Sequence, residues 1–439
     1  TLGALSDEDE ELIYQVGHEI GSHCKAIGVH FNCAPVIDVN NEPENPIINT
    51  RSFGEDPELV AKKAALFAHG MQDAGILTCA KHFPGHGNTK TDSHVALPVV
   101  PHTRKALECT ELVPFKHLIA QGTDAIMTAH LAVPELAEDA TMPATLSHNV
   151  ITKLLREELK FTGLIVTDGL GMKGVTDQLE AGEPELKALL AGNDILLCPV
   201  DVPRAIELIK QAIKDNKLSE TKIDNHVAKI LQAKKKALII HPVVCKKELL
   251  QSDEAKKLKT QLYRAAVTLT RNRDSILPLQ KRDAPIPVIT NDENANPVFV
   301  KKLREYLSIE HHHLTPNASQ AECDRLEKQL RERPQIITSL HIPGRSGMLE
   351  MQHTEPGEDP DSPYISFINK LGKRAALVLF GNPYNLKHLP DTAATIVAYE
   401  NEPEAQTATA ETIVGEHNPR GKLPVTASEE YRQGLGLNY

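Results

Sequence analysis

Behind Ser6, a capping residue, and an acidic first turn, Leu12, Val16 and Ile20 recur four apart, as in an amphipathic helix. Mostly apolar runs follow at 29–36, 76–80, 125–129, 164–167 and 195–198, with helical patterns such as 57–74 and 149–159 between them. Runs of this kind are strands covered on both faces, and their alternation with helices predicts a parallel sheet. Four of the runs end in charged or titratable residues: Asp38, then Lys81 and His82, then His130, then Asp168. The C-terminal ends of parallel strands carry function in (β/α) barrels and open α/β sheets alike. Five such runs before residue 240 are fewer than the eight of a closed barrel. Either weakly patterned strands complete it, or its N-terminal part lies outside this sequence.

A lysine-rich helical stretch, 223–239, leads through His241 and Pro242 into the charged segment 246–259. A second α/β block follows, with strands expected at 286–289, 335–340, 375–379 and 395–398 and a close at GKLPVT, 421–426. The fold class is therefore α/β: a (β/α)8-type barrel in 1–242, a linker in 243–262 and an α/β/α sandwich in 263–439. The length of 439 residues already asks for two cores. Pro and acidic residues at 348–363 mark an exposed loop, and the triplet His311 to His313 reads as solvated surface.

A formal net charge of -11 without a long basic run argues against nucleic acid or an anionic membrane as partner and favours a small neutral ligand. No apolar run approaches the roughly eighteen residues of a membrane span, and residues 1–20 are acidic rather than signal-like. This points to the cytoplasm, or to export if a leader precedes Thr1. Seven cysteines without CxxC pairs argue against a disulfide framework or a zinc module and for reduced, buried thiols. Tryptophan is absent and aromatics make up 4%, which disfavours an open cleft of stacking rings and suits a polar pocket for one small unit. Nothing in the pattern speaks to oligomeric state.

Chemistry concentrates in KHFPGHGNTKTDSH, 81–94, which follows one of the strands. Asp92 and His94 are one residue apart, close enough for the carboxylate to hold one imidazole nitrogen and leave the other for proton transfer. A metal set of His82, His86, Asp92, His94 and His130 is the alternative. The absence of an HExxH helix and the slack that Gly85 and Gly87 lend the loop weigh against it. Lys81 either meets substrate or pairs with Asp38. Asp168, in GLIVTDGLGM, reads equally as a carboxylate at a strand mouth or as a helix N-cap, until the 81–94 loop on the same face favours the former.

These segments, with NCAPVIDVN, NTRSFGEDPELV, IMTAHLAVP and PATLS, closely resemble glycoside hydrolase family 3, specifically its bacterial β-N-acetylglucosaminidases. AGNDILL, the segment from Tyr263 and FGNPYNL extend the resemblance to the family's two-domain members. It implies a retaining mechanism with Asp168 as nucleophile, His94 as acid/base and Asp92 as its orienting partner. Arg51, Lys81 and His82 fall on positions that grip sugar hydroxyls, and His130 joins them as a substrate contact. The glycines are expected to let the loop carry His94 over the sugar and away. No metal or organic cofactor is implied. The expected activity is exo-hydrolysis of terminal N-acetylglucosamine from small glycans such as peptidoglycan fragments, with phosphorolysis and non-catalytic glycan binding as alternatives. Two departures stand out. Gly169 occupies a position where many members carry a second aspartate, and the family's first barrel strand and a sugar-contacting acidic and arginine segment precede the point where this sequence begins.

Overall fold

The computed structural model describes residues 1–91, 96–176, 179–237, 250, 252–281, 283–291, 297–315, 317–342 and 363–439. They divide into two compact units, Ile13–Ala255 and, together, Thr1–Leu12 with Lys256–Tyr439. Of the segment expected as a linker, 243–249 and 251 lie outside the described residues, and Asp253–Ala266 is a helix.

In the first unit four parallel strands pair in chain order: β1 (Phe31–Asn32), β2 (Leu77–Phe83), β3 (Ala125–Thr128) and β4 (Leu164–Thr167). Every residue of β3 and β4 is buried, as continuous apolar runs require when both faces are covered. Alternation then sorts the side chains. Cys79, Ala125, Met127, Leu164 and Val166 share one face in a single apolar cluster with Phe31, Cys33 and Ile195. Lys81 and Asp168 continue the same alternation past Cys79 and Val166, at the C-terminal ends of their strands. The helix Pro57–Asp73 covers the sheet through Val60, Ala64, Phe67 and Met71, and Asp56 caps it by accepting from Glu58 N and Leu59 N.

Two expected strands are shorter than the pattern suggested. In 29–36 the Ala34 N–H turns back to Asn32 O and Pro35 has no N–H to give, so β1 ends and Val36 rejoins by a single bridge to Lys81. In 195–198 one bridge, Ile195 to Val166, is made before Leu197 N donates to the Thr167 hydroxyl and Cys198 takes a left-handed φ of 48°. The helical pattern at 149–159 is wound as a π-helix, Asn149–Glu158.

The second unit is built on β5 (Thr268–Asn272), β6 (Ile286–Thr290), β7 (Ile309–His313), β8 (Ile336–His341), β9 (Ala375–Phe380) and β10 (Ala394–Val397). Their order is β5-β10-β9-β8-β6-β7, parallel except for the antiparallel β5 edge. Helices such as Val298–Tyr306 and Pro403–Ile413 pack on it, completing the α/β sandwich. The histidine triplet is part of the edge strand β7, where His311 Nε2 meets the Thr290 hydroxyl at 3.0 Å, rather than free surface. The loop expected at 348–363 falls almost wholly outside the described residues. Among the described cysteines Cys79 and Cys323 are buried, but Cys109 and Cys198 are exposed.

Candidate active site

The site is assembled around Asp38, whose side chain is fully buried. It accepts from the His82 backbone N–H at 3.1 Å and the His86 backbone N–H at 2.7 Å, and meets His82 Nδ1 at 2.8 Å. Burial alone would raise its pKa, but His82 and His86 outweigh it and hold the carboxyl below the usual range. Asp38 is thus engaged by the two histidines, and the pairing with Lys81 that the sequence left open is not made. Asn45 and Thr89 tie the same loop: Asn45 Nδ2 donates to His86 O at 2.8 Å, and the Thr89 hydroxyl meets His86 Nδ1 at 2.8 Å. His86 is therefore a buried loop anchor. Burial pushes its pKa down to about 4 against the raising influence of Asp38, so the imidazole is neutral at physiological pH.

The two loop glycines are packed rather than slack. A Cβ on Gly87 would stand 1.8 Å from Val39 O, and one on Gly85 would stand 2.6 Å from the Cβ of Glu111. Gly85 also has φ of 133°, which L side chains rarely adopt. Each is required where it stands because backbone or side chain lies directly against it.

Asp168 follows β4, half-buried, with its backbone N–H donating to Thr128 O and its Oδ1 accepting from Gly169 N at 2.8 Å. Burial works to raise its pKa, but His82, the Gly169 N–H, His130 and Lys81 together hold it below the usual carboxylate range. The structure therefore brings Lys81, His82 and His130 to bear on Asp168. His130 spends both ring nitrogens within the protein, Nδ1 on the Thr145 hydroxyl at 3.0 Å and Nε2 on Gly169 O at 3.0 Å. Because a carbonyl only accepts, Nε2 carries a proton, and the ring fixes the turn that presents Asp168. Arg51 is exposed, donating through Nη1 to Ile47 O at 3.1 Å, and is not among the cations that act most on Asp168. Asp92 and His94 lie outside the described residues. Among the described residues no group of three His, Cys, Asp or Glu side chains converges to hold a metal. Asn45, Thr89 and Thr145 are site residues that the sequence did not single out; small polar residues inside loops carry no periodic signal.

An ionised carboxylate at a strand mouth, acted on by Lys81, His82 and His130, suits nucleophilic attack on an electrophilic carbon. The glycosyl hydrolase family 3 N-terminal domain model matches residues 1–233. The chain belongs to glycoside hydrolase family 3. Among its relatives, beta-hexosaminidase A of Pseudoalteromonas piscicida is 28% identical over 94% of the chain and 76% of its own length. Beta-hexosaminidase LpqI of Mycobacterium tuberculosis is 33% identical over 51% of the chain and 58% of its own length. The family 3 β-N-acetylglucosaminidase structure from Paenibacillus sp. FPU-7 superposes with a TM-score of 0.78 at 31% identity, over 97% of this chain and 81% of that one. A beta-glucoside phosphorylase, BglX, shares the fold with a TM-score of 0.82 at 23% identity, over 98% of this chain and 81% of that one. Like these family 3 structures, the chain is a two-domain α/β protein. No helix among the described residues is long and apolar enough to cross a membrane.

Proposed function

We propose that the chain is a retaining, exo-acting β-N-acetylglucosaminidase that releases terminal N-acetylglucosamine from small glycans such as peptidoglycan fragments. The observation that carries this reading is Asp168, half-buried at the mouth of β4 and yet kept ionised by His82, His130 and Lys81. A carboxylate oxygen of Asp168 attacks the anomeric carbon as the bond to the glycosidic oxygen breaks. His94, oriented by Asp92, gives its proton to that leaving oxygen. Water then attacks the same carbon, returns a proton to His94 and releases Asp168, so that configuration is retained. Arg51, Lys81 and His82 hold sugar hydroxyls, and His130 keeps the 168–169 turn in register. The names of the relatives supply the identity of the sugar.

The test is turnover of an aryl N-acetyl-β-glucosaminide, followed by trapping with a fluorinated substrate that slows the second step. Asp168→Ala abolishes turnover with the fold intact, and peptide mapping finds the label on Asp168. A label on another residue sinks the nucleophile assignment. Phosphorolysis is the second reading, favoured by a neutral histidine in place of a carboxylate acid/base, since it repels an incoming phosphate less. Release of a sugar 1-phosphate in phosphate buffer decides between them.

A further inference from the structure

Asn193, in AGNDILL, is a fully buried amide that the chemistry above leaves unassigned. The helix Glu183–Ala191 ends beside it, with Gly192 at a φ of 115°, and the Asn193 backbone N–H returns to Ala188 O at 3.2 Å. Its side chain gives the same carbonyl a second bond, from Nδ2 at 2.8 Å, which helps to close the helix. Closing a helix needs only that one bond. The rest of the amide turns elsewhere: Nδ2 donates to Thr145 O at 2.9 Å, and Oδ1 accepts from the Thr128 hydroxyl at 3.1 Å.

Those two partners are the residues that hold the nucleophile turn. Thr128 O accepts from the Asp168 backbone N–H at 3.0 Å. The Thr145 hydroxyl meets His130 Nδ1 at 3.0 Å, and His130 Nε2 donates to Gly169 O at 3.0 Å. One amide thus ties both supports of residues 168–169, the end of β3 and the turn Ala144–Leu146, to each other and to a helix end. Thr128, Thr145 and Ala188 are all fully buried, so water does not replace a bond lost here. The adjoining Asp194 has a different part. It accepts from Ile165 N at 2.8 Å and meets His226 Nδ1 at 2.7 Å, bracing the start of β4 rather than its mouth.

We propose that Asn193 is a positioning residue for the nucleophile: through Thr128, and through Thr145 and His130, it fixes the turn that aims Asp168 at the anomeric carbon. The inference rests on the proposed glycosidase reading for its kinetic arm, and its rival is a helix cap and nothing more. Asn193→Ser keeps a small polar group that does not span the three partners. Thr128→Val replaces one hydroxyl by a methyl, leaves the helix end alone, and decides by itself if Asn193→Ser does not fold. Active sites are counted by trapping with the fluorinated substrate, and turnover of an aryl N-acetyl-β-glucosaminide is expressed per trapped site. In Asn193→Ser, kcat per site falls on the order of ten- to a hundredfold while KM holds, and Thr128→Val falls in the same way by less. Wild-type turnover per site in the variants, with only a lowered melting temperature, overturns the proposal and leaves a cap. Hydrogen exchange is the arm that needs no turnover. In Thr128→Val, peptides covering 168–172 lose protection while those covering 183–191 keep it; unchanged exchange at 168–172 overturns the proposal. A wild type that turns over no glycoside sinks the functional reading instead, and the exchange arm then decides this one alone.

Discussion

Acid should loosen the catalytic loop at a pH where most of the molecule is untouched, and His86 is the reason. Its side chain is 2% exposed and its imidazole is neutral, with a pKa of about 4 where the unfolded chain has about 6.5. Between those values the unfolded state binds a proton that the folded state refuses. The stability from burying neutral His86 is thus fully present above about pH 6.5 and is lost as pH falls towards 4. At about 1.4 kcal/mol per pH unit the interval is worth roughly 3 kcal/mol, an order-of-magnitude figure that is large against a typical net stability of about 5–15 kcal/mol. Asp38 acts in the same direction but lower. Its depressed pKa contributes stability above about pH 4 that disappears only as pH falls further. The perturbation is His86→Asn, which keeps a polar contact for Thr89 and cannot titrate. With no tryptophan in the chain, urea unfolding is followed by far-UV circular dichroism at a series of pH values from about 7 to 4. The stability of wild type relative to the variant should fall by roughly 3 kcal/mol across that window. Parallel curves would refute the reasoning, whatever their separation at neutral pH.

Removing His94 should harm substrates with poor leaving groups far more than activated aryl glycosides, and the double substitution with Asp92→Ala should cost about as much as His94→Ala alone; additive losses in a four-variant kinetic cycle would mean that the proton comes from elsewhere. Gly169→Asp should fold normally, because a Cβ there meets nothing nearer than Met172 at 3.8 Å, while its added carboxylate raises the pKa of Asp168 and moves the acid limb of kcat/KM to higher pH. An unshifted limb with intact folding would place residue 169 outside the field of the nucleophile.

The strand mouths were legible because burial on both faces writes a continuous apolar run, and the first polar residue after it marks the mouth. Asp168 after LIVT and Lys81 after LTCA are read this way, and both stand where the alternation puts them. The edge strands β5 and β7 were not legible. IEHHH carries polar residues that a half-covered edge tolerates, and the polar residues of TLTRN are buried but partnered, with Arg271 tied to Asp391 and Glu430 and His311 to Thr290. Close packing at Gly85 and Gly87 was not legible either, since flexibility and close packing ask for the same residue and differ only in what lies beside it. Glu111 and Asp38 show the same limit: a sequence does not reveal which distant backbone a buried carboxylate will meet.

Why Asp168 stays charged despite its burial follows from the surface beneath it. The face of the sheet below the strand mouths is lined by Ala125, Met127, Leu164 and Val166, which carry no charge, and by Cys33 and Cys79. Burial raises the pKa of both thiols, far more for Cys79, so both remain protonated and neutral at physiological pH. The negative charge of Asp168 and the positive charge of Lys81 therefore rest on a floor of low polarity, where a charge pair acts more strongly than it would in water. Such a floor makes desolvation of Asp168 expensive, and it strengthens the attraction to Lys81 and to His82 by the same physics. The attraction prevails because those groups converge from β2 while the Gly169 N–H binds the carboxylate directly. Thiols suit this position: they fill the sheet face as apolar groups do, yet a thiolate there would oppose the charge on Asp168, and burial keeps that thiolate from forming.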